Sequence, residues 1–528
     1  MRKILALAFL PVVIATLSIS AVRSGHSISR KTDNLTSSKT VRLRFEITMA
    51  QGLTSSPQNG RLFIIIGASD RSEPRLAIGN TGKNAPPLLA RDVKYFAPGV
   101  TARIDRSAAI FPIEDLSELP AGDYFVQALF DSNIDLKSVN APGNLYSKVQ
   151  KVNLDVTRDR AVKLELTEKV ADETLPAETE YLKYVKLRSE LLSKFHGRDI
   201  YLRAGIILPR GFDADPSRRY PLRVQIGGYG ERYTAVQRMM SERSPFRAMW
   251  LADDAPRMIL LHLDGDGPNG DSYQVNSANN GPYGDALIQE LIPYVEQKYR
   301  AIGKSYARVL DGGSTGGWVA LALQVFYPDF FNGAWSYCPD GVDFRAFQLI
   351  NIYRDRNAYV NEHGFERPSA RDLDGDTRFT IRHECQMENV MGAGDSWAMS
   401  GQQWGAWNAV YGPRGRDGRS VPLWNPETGE IDPKVIEHWK KYDLRMVMEE
   451  NWKALGPKLR GKIRIWIGEA DNYFLNNAVH LLDEFLKRAD PPYEGKIIYG
   501  PGGGHCWRDL TERQIMNDMA ERIEKAGQ

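Results

Sequence analysis

The stretch 306-YARVLDGGSTGGWVAL-321 sets one serine, Ser314, among four glycines and between two apolar runs. The run before it, "ARVLDG", reads as a buried strand, and "GWVALALQVFY" after it reads as a helix. Gly312, Ser314 and Gly316 satisfy the spacing G-x-S-x-G. Such a turn needs small neighbours because the serine sits in strained backbone geometry, where bulk beside it would collide. The turn lifts Oγ clear of the sheet and sets it at a helix N-terminus, whose dipole favours developing negative charge. A plain glycine turn gives the same pattern, so the rest of the chain must decide between them.

A serine becomes a nucleophile only beside a base, and the chain has eight histidines. His196, His363, His383 and His438 lie in polar stretches, His480 lies within a helical pattern, and His262 ends a strand. His505 differs, because "IIYGPGGGHCW" carries it on a glycine-rich loop after the last strand. Asp471 closes "IRIWIGEAD" just past the preceding strand and is placed to orient that imidazole; Glu469 is the alternative acid. Asp471 also precedes a helical pattern that it is able to cap. Each of the three residues follows a strand, and their chain order is serine, acid, histidine. The turn "VQIGGYGERY" follows another buried strand and offers backbone N–H groups at Gly228 and Tyr229. With the amide of Thr315, these are the candidate donors for a tetrahedral oxyanion.

The organisation of the chain fits this reading. Residues 1–24 have a basic start, an apolar stretch and small residues, the pattern of a signal peptide; an uncleaved anchor is the alternative. Residues 25–38 are polar and read as a disordered lead-in. From 39 to 167, short alternating runs such as "GDYFVQALFD" between turn residues predict a β-sandwich-like domain. The acidic segment 168–180 reads as a linker. From 181 to 528, near-continuous apolar strands alternate with helices, which predicts an α/β domain with a mostly parallel sheet. A Trp-rich insertion at about 341–458 interrupts it in the position of a lid. Trp397, Trp404 and Trp407 either line a substrate site or pack the insertion's own core.

The region from about 183 to 525 resembles the esterase D-like (putative esterase) branch of the α/β-hydrolases. The matching stretches are "GRDIYLRAGIILPRGFD", "YPLRVQIGGYG", "GPYGDALIQELIPYVEQKYR", "RVLDGGSTGGWVALAL", "IGEADNYF" and "GGGHCW". The resemblance implies an α/β-hydrolase fold, with Ser314 as nucleophile, Asp471 as acid and His505 as base. Two departures stand out: Ile226-Gly227-Gly228 replaces the His-Gly opening common in relatives, and the insertion exceeds that of a minimal member.

The 528 residues suffice for two domains, and a net charge of +2 with no basic cluster gives no footprint for nucleic acid. Three cysteines leave one bridge open in three pairings, among them Cys338 with Cys506. No spacing typical of a zinc site occurs, and the chemistry calls for no metal or cofactor. "DLDGDTRF" and "DGDGPNGD" lack the spacing of a calcium loop and read as solvated turns. The expectation is thus a secreted or periplasmic serine esterase, with a small-molecule or polysaccharide-linked ester as substrate and no membrane span after signal removal. A prolyl-oligopeptidase-type peptidase, an acyltransferase and a binding protein with a vestigial hydrolase domain are the rivals.

Overall fold

The computed structural model describes residues 41–528, so the expected signal peptide and lead-in lie outside the described residues. In the N-terminal region, strand Gln58–Gly67 carries apolar side chains on both faces. Leu62, Ile64 and Ile66 enter one core, while Phe63 and Ile65 enter another. Two-sided burial places this strand inside a sheet rather than at its edge. Nine strands between Arg44 and Lys169 join one hydrogen-bonded sheet. Phe45 and Ile47 nevertheless share a core with Leu62, Val126 and Phe130 from far along that sheet. The sheet therefore curls onto itself, which is the sandwich-like arrangement expected.

The following segment is held in place by charge: Glu173 lies 2.8 Å from Arg232 and 3.3 Å from Arg203.

The second sheet has eight strands: β1 (Leu182–Ser189), β2 (Ile200–Ile207), β3 (Leu222–Ile226), β4 (Ile259–Leu263), β5 (Arg308–Gly313), β6 (Ala334–Tyr337), β7 (Ile463–Gly468) and β8 (Lys496–Gly500). Their spatial order is β1-β2-β4-β3-β5-β6-β7-β8. β1 and β2 pair antiparallel at one edge, and the six strands from β4 to β8 run parallel. The sheet is thus mixed rather than purely parallel. Its central strands are buried along their length, and helix α1 (Thr315–Phe326) is buried almost throughout. This is the α/β-hydrolase fold, and it brings the ends of β5, β7 and β8 to one edge.

Under that edge lies a buried ion cluster. Arg223, fully inaccessible, grips Asp311 with two hydrogen bonds of 2.9 and 2.5 Å and approaches Glu512 at 2.5 Å. Burial alone would raise the Glu512 carboxyl, but Arg223 and Arg508 hold it below its ordinary value. Its stabilisation is therefore present above the ordinary glutamate range and lost as pH falls through the depressed pKa. Arg223→Met, which strips buried Asp311 of its cation and leaves Glu512 only Arg508 at 3.4 Å, is expected to cost about 3–5 kcal/mol. Urea unfolding at pH 7 measures this, and a loss under 1 kcal/mol would contradict it.

Between β6 and β7 the insertion contributes a hairpin, Pro368–Arg371 with Thr377–Thr380, and helices including α2 (Ile381–Met391) and α3 (Gln403–Tyr411). Trp397 stacks on Trp424 with centroids 4.5 Å apart, and Trp404 packs edge-on against Trp407 at 4.8 Å. The two Asp-rich stretches behave differently. Asp374 and Asp376 are solvated, as expected, at the hairpin tip. The reading of "DGDGPNGD" as a solvated turn is corrected: Asp264 and Asp271 are buried. Arg232 neutralises Asp264, and two backbone amides bind Asp271, which explains how such burial is tolerated. Among the described residues, no helix is long and apolar enough to cross a membrane.

Candidate active site

At the end of β5, Ser314 adopts φ 58° and ψ −124°, a left-handed conformation that few non-glycine residues take. The flanking glycines are required by contact. A Cβ on Gly312 would lie 2.4 Å from Gly316 O, and one on Gly316 would lie 2.3 Å from Ile226 O and 2.5 Å from Gly227 O. The elbow therefore presses directly on the end of β3, beside the turn that carries Gly228 and Tyr229. Thr315 opens α1, so its N–H has no acceptor within the helix. The Tyr229 and Gly228 amides likewise have no acceptor among the described residues.

Past β7, the Asp471 carboxylate divides its work. Oδ1 accepts the amides of Tyr473 at 2.9 Å and Leu475 at 3.2 Å, ahead of the helix Asn476–Arg488. Oδ2 accepts from Nδ1 of His505 at 2.8 Å, and Asp471 is wholly buried. The turn-fixing and imidazole-orienting roles therefore coincide in one side chain. Glu469 instead meets His480 at 2.9 Å. Tyr473 packs edge-on against the His505 ring at 4.9 Å. Asn472 ties the two loops together, its Oδ1 accepting the His505 amide at 2.9 Å.

Cys338, at the end of β6, is bonded to Cys506 beside the histidine. The Ser314 amide points at Cys338 Sγ, 3.2 Å away, and His505 Nε2 lies 3.9 Å from the same sulfur. With both sulfurs in a disulfide, Cys338, His505 and Cys506 offer no thiolate to a metal. Among the described residues no hydrogen bond joins Ser314 Oγ to His505, although both line the same cavities. Free enzymes often hold this contact long until substrate binds.

Two hollows flank Ser314. One, of about 390 Å³, includes Tyr229, Asp340, Glu384, Glu388, Gln403 and Trp407 in its walls. The other, of about 550 Å³, includes Gly228, Glu231, Phe246 and Arg508. Of the three tryptophans singled out in the insertion, Trp407 reaches a cavity; Trp397 and Trp404 are fully buried in packing. Trp404 still bears on the site, because its indole N–H donates to Glu384 at 2.8 Å.

Asp340 was not anticipated, although it follows β6 at the same sheet edge. Tyr273, Trp407 and Thr315 donate to its Oδ2 at 2.7, 3.1 and 3.1 Å. Burial raises its carboxyl and that of Glu384. Glu388 is pushed up to about 8 by burial, with Glu384 adding to the rise. No lysine or arginine is among the residues lining this first cavity.

Arg371 was also missed. Its Nε donates to the Asp471 carbonyl at 3.0 Å, its guanidinium lies 4.4 Å over the Phe474 ring, and its carbonyl accepts from Asn472 at 2.8 Å. The insertion hairpin thus grips the loop that carries the acid.

No curated protein matches the chain. Among solved structures, a ferulic acid esterase aligns at 15% identity and a TM-score of 0.37, over 65% of this chain and 96% of its own. An S-formylglutathione hydrolase from Agrobacterium tumefaciens aligns at 12% and 0.34, over 66% and 96%. The fluorophosphonate-binding serine hydrolase FphF of Staphylococcus aureus aligns at 14% and 0.37, over 65% and 98%. The family model described as "Putative esterase" matches residues 201–487, more than half of the sequence and the span from β2 to the helix after Asp471. The chain belongs to this esterase family, carboxylic ester hydrolases of the α/β-hydrolase fold.

Proposed function

We propose that the protein is an exported serine esterase that works through an acyl-enzyme on Ser314. The observation that carries this reading is the strained Ser314 turn opening onto the same cavity as His505, whose Nδ1 is held by buried Asp471. His505 Nε2 takes the Ser314 proton as Oγ attacks the ester carbonyl. The free amides of Thr315 and Tyr229, with that of Gly228, receive the negative charge on the carbonyl oxygen. The alcohol leaves with a proton from His505, and water, activated by the same imidazole, releases the acid and restores Ser314. No step needs a cofactor. The substrate is a small-molecule or polysaccharide-linked ester, and the segment 1–24 directs export.

The test is labelling with a fluorophosphonate followed by mass mapping of the modified peptide. One label per chain on the peptide bearing Ser314 is expected. A label elsewhere, or none in protein that hydrolyses p-nitrophenyl acetate, would sink the assignment. Running peptide anilides and acceptor alcohols beside simple esters separates hydrolysis of esters from peptidase and transferase activity.

Arg371 acts in this scheme through Asp471, so it is a positioning residue. Arg371→Ala is expected to lower kcat about 10- to 100-fold, the usual effect of small misplacements in such sites, with KM little changed. Steady-state kinetics on p-nitrophenyl acetate measure the split; an unchanged kcat, or a loss wholly in KM, would count against it.

A further inference from the structure

The wall of the first cavity is not made by the catalytic sheet and its insertion alone. Gly79 and Thr81 line it, and both belong to the N-terminal β-rich region, in the connection between strands Gln58–Gly67 and Leu88–Phe96. This connection is fixed to the insertion at several points. The Gly82 amide donates to Nε2 of His383 at 3.1 Å. Gly79 takes φ +92°, and a Cβ there would come within 3.3 Å of the Gln402 side chain. Nearby, Arg61, only 4% exposed, donates to the Val390 carbonyl at 2.7 Å and pairs with Asp92 and Asp395, both at 2.7 Å.

Helix α2 explains the arrangement. Residues four apart share a helical stripe. Glu384 and Glu388 form one stripe, which faces the cavity. Met387, which also reaches the cavity, and Met391 form the adjoining stripe, in one core cluster with Phe63, Ile65, Leu88, Phe111 and Leu129 of the β-rich region. One helix therefore serves as core for the N-terminal sheet and as wall for the cavity beside Ser314. The N-terminal region both seats that helix and adds its own backbone and Thr81 to the enclosure.

We propose that the β-rich region is part of the substrate site, and that Thr81 sets how large a substituent on the ester the cavity admits. This rests on the reading of Ser314 as nucleophile. A bulkier side chain at position 81 shrinks the space available to groups beyond the smallest ester, while a smaller one enlarges it. A scaffold that only supported the fold would change all esters alike.

The experiment uses the full chain with Thr81→Trp, Thr81→Leu and Thr81→Gly. Competent enzyme in each preparation is counted by fluorophosphonate titration, which also tests Ser314 separately: failure of the wild type to titrate strikes that reading. Two series are run, p-nitrophenyl esters from acetate to decanoate and acetate esters of alcohols of rising size. Thr81→Trp or Thr81→Leu is expected to lower the kcat/KM ratio of largest to smallest ester at least tenfold in one series. Thr81→Gly is expected to raise it in the same series. If the variants that titrate keep the wild-type ratio in both series, or scale every ester equally, the proposal is overturned.

Discussion

Ser314→Ala is expected to lower kcat for p-nitrophenyl acetate by about a million-fold, the order found when the serine of such a unit is removed. The left-handed backbone at Ser314 is set by the glycines and by the pairing of its amide with Tyr337 O at 2.9 Å. The alanine variant should therefore fold and still present its oxyanion donors. What it loses is the atom that forms the acyl bond. Removing the base as well should then change little: Ser314→Ala with His505→Ala is expected to match the single variant within a few-fold, because the two groups act as one unit. Active-site-titrated kinetics, with circular dichroism to verify folding, decide this. A single variant within a hundred-fold of wild type would mean that another nucleophile serves.

Asp471→Asn is expected to lower kcat by about ten-thousand-fold with the fold retained. The reason lies in how the carboxylate is shared. The amides of Tyr473 and Leu475 both donate to Oδ1, so an asparagine must leave its carbonyl oxygen there. Its NH₂ group then faces His505 Nδ1, which has to become an acceptor, and the imidazole proton moves to Nε2. In that tautomer the ring is unable to take the serine proton. Glu469→Gln, which touches His480 rather than His505, is the matched control and should keep kcat within a few-fold. Equal losses in the two variants would show that Asp471 has no special part.

Ser314, Asp471 and His505 were legible as candidates because each follows a strand in the parallel part of one mixed sheet. Strand ends sharing a sheet edge converge regardless of how far apart they lie in the chain. Asp471 was separable from Glu469 by position relative to its strand, and the structure gives the imidazole to Asp471. The walls were not legible. Thr81 and Glu384 wall one cavity from three hundred residues apart, and Arg371 reaches Asp471 across a hundred, placements with no local pattern. Asp264 and Asp271 looked solvated because charge density alone argues for water; the half-buried Arg232 partner and the turn amides were needed to see otherwise. The tryptophans divided by a rule that spacing does not carry: Trp407 finds Asp340 at the cavity, while Trp397 finds Trp424 away from it.

The grip of the insertion on the Asp471 loop ties a wall of the cavity to the loop beside His505. Arg371 holds the Asp471 carbonyl, and Asn472 binds Arg371 with one end and the His505 amide with the other. A rigid swing of the insertion away from the sheet would break these bonds and free the loops that carry Asp471 and His505. Under the proposed mechanism, a chain so opened would lose the alignment of Asp471 with His505, and one trimmed of the hairpin would lack the contacts that hold it. In this fold one hairpin both walls the cavity, through Phe379, and braces the Asp471 loop, through Arg371.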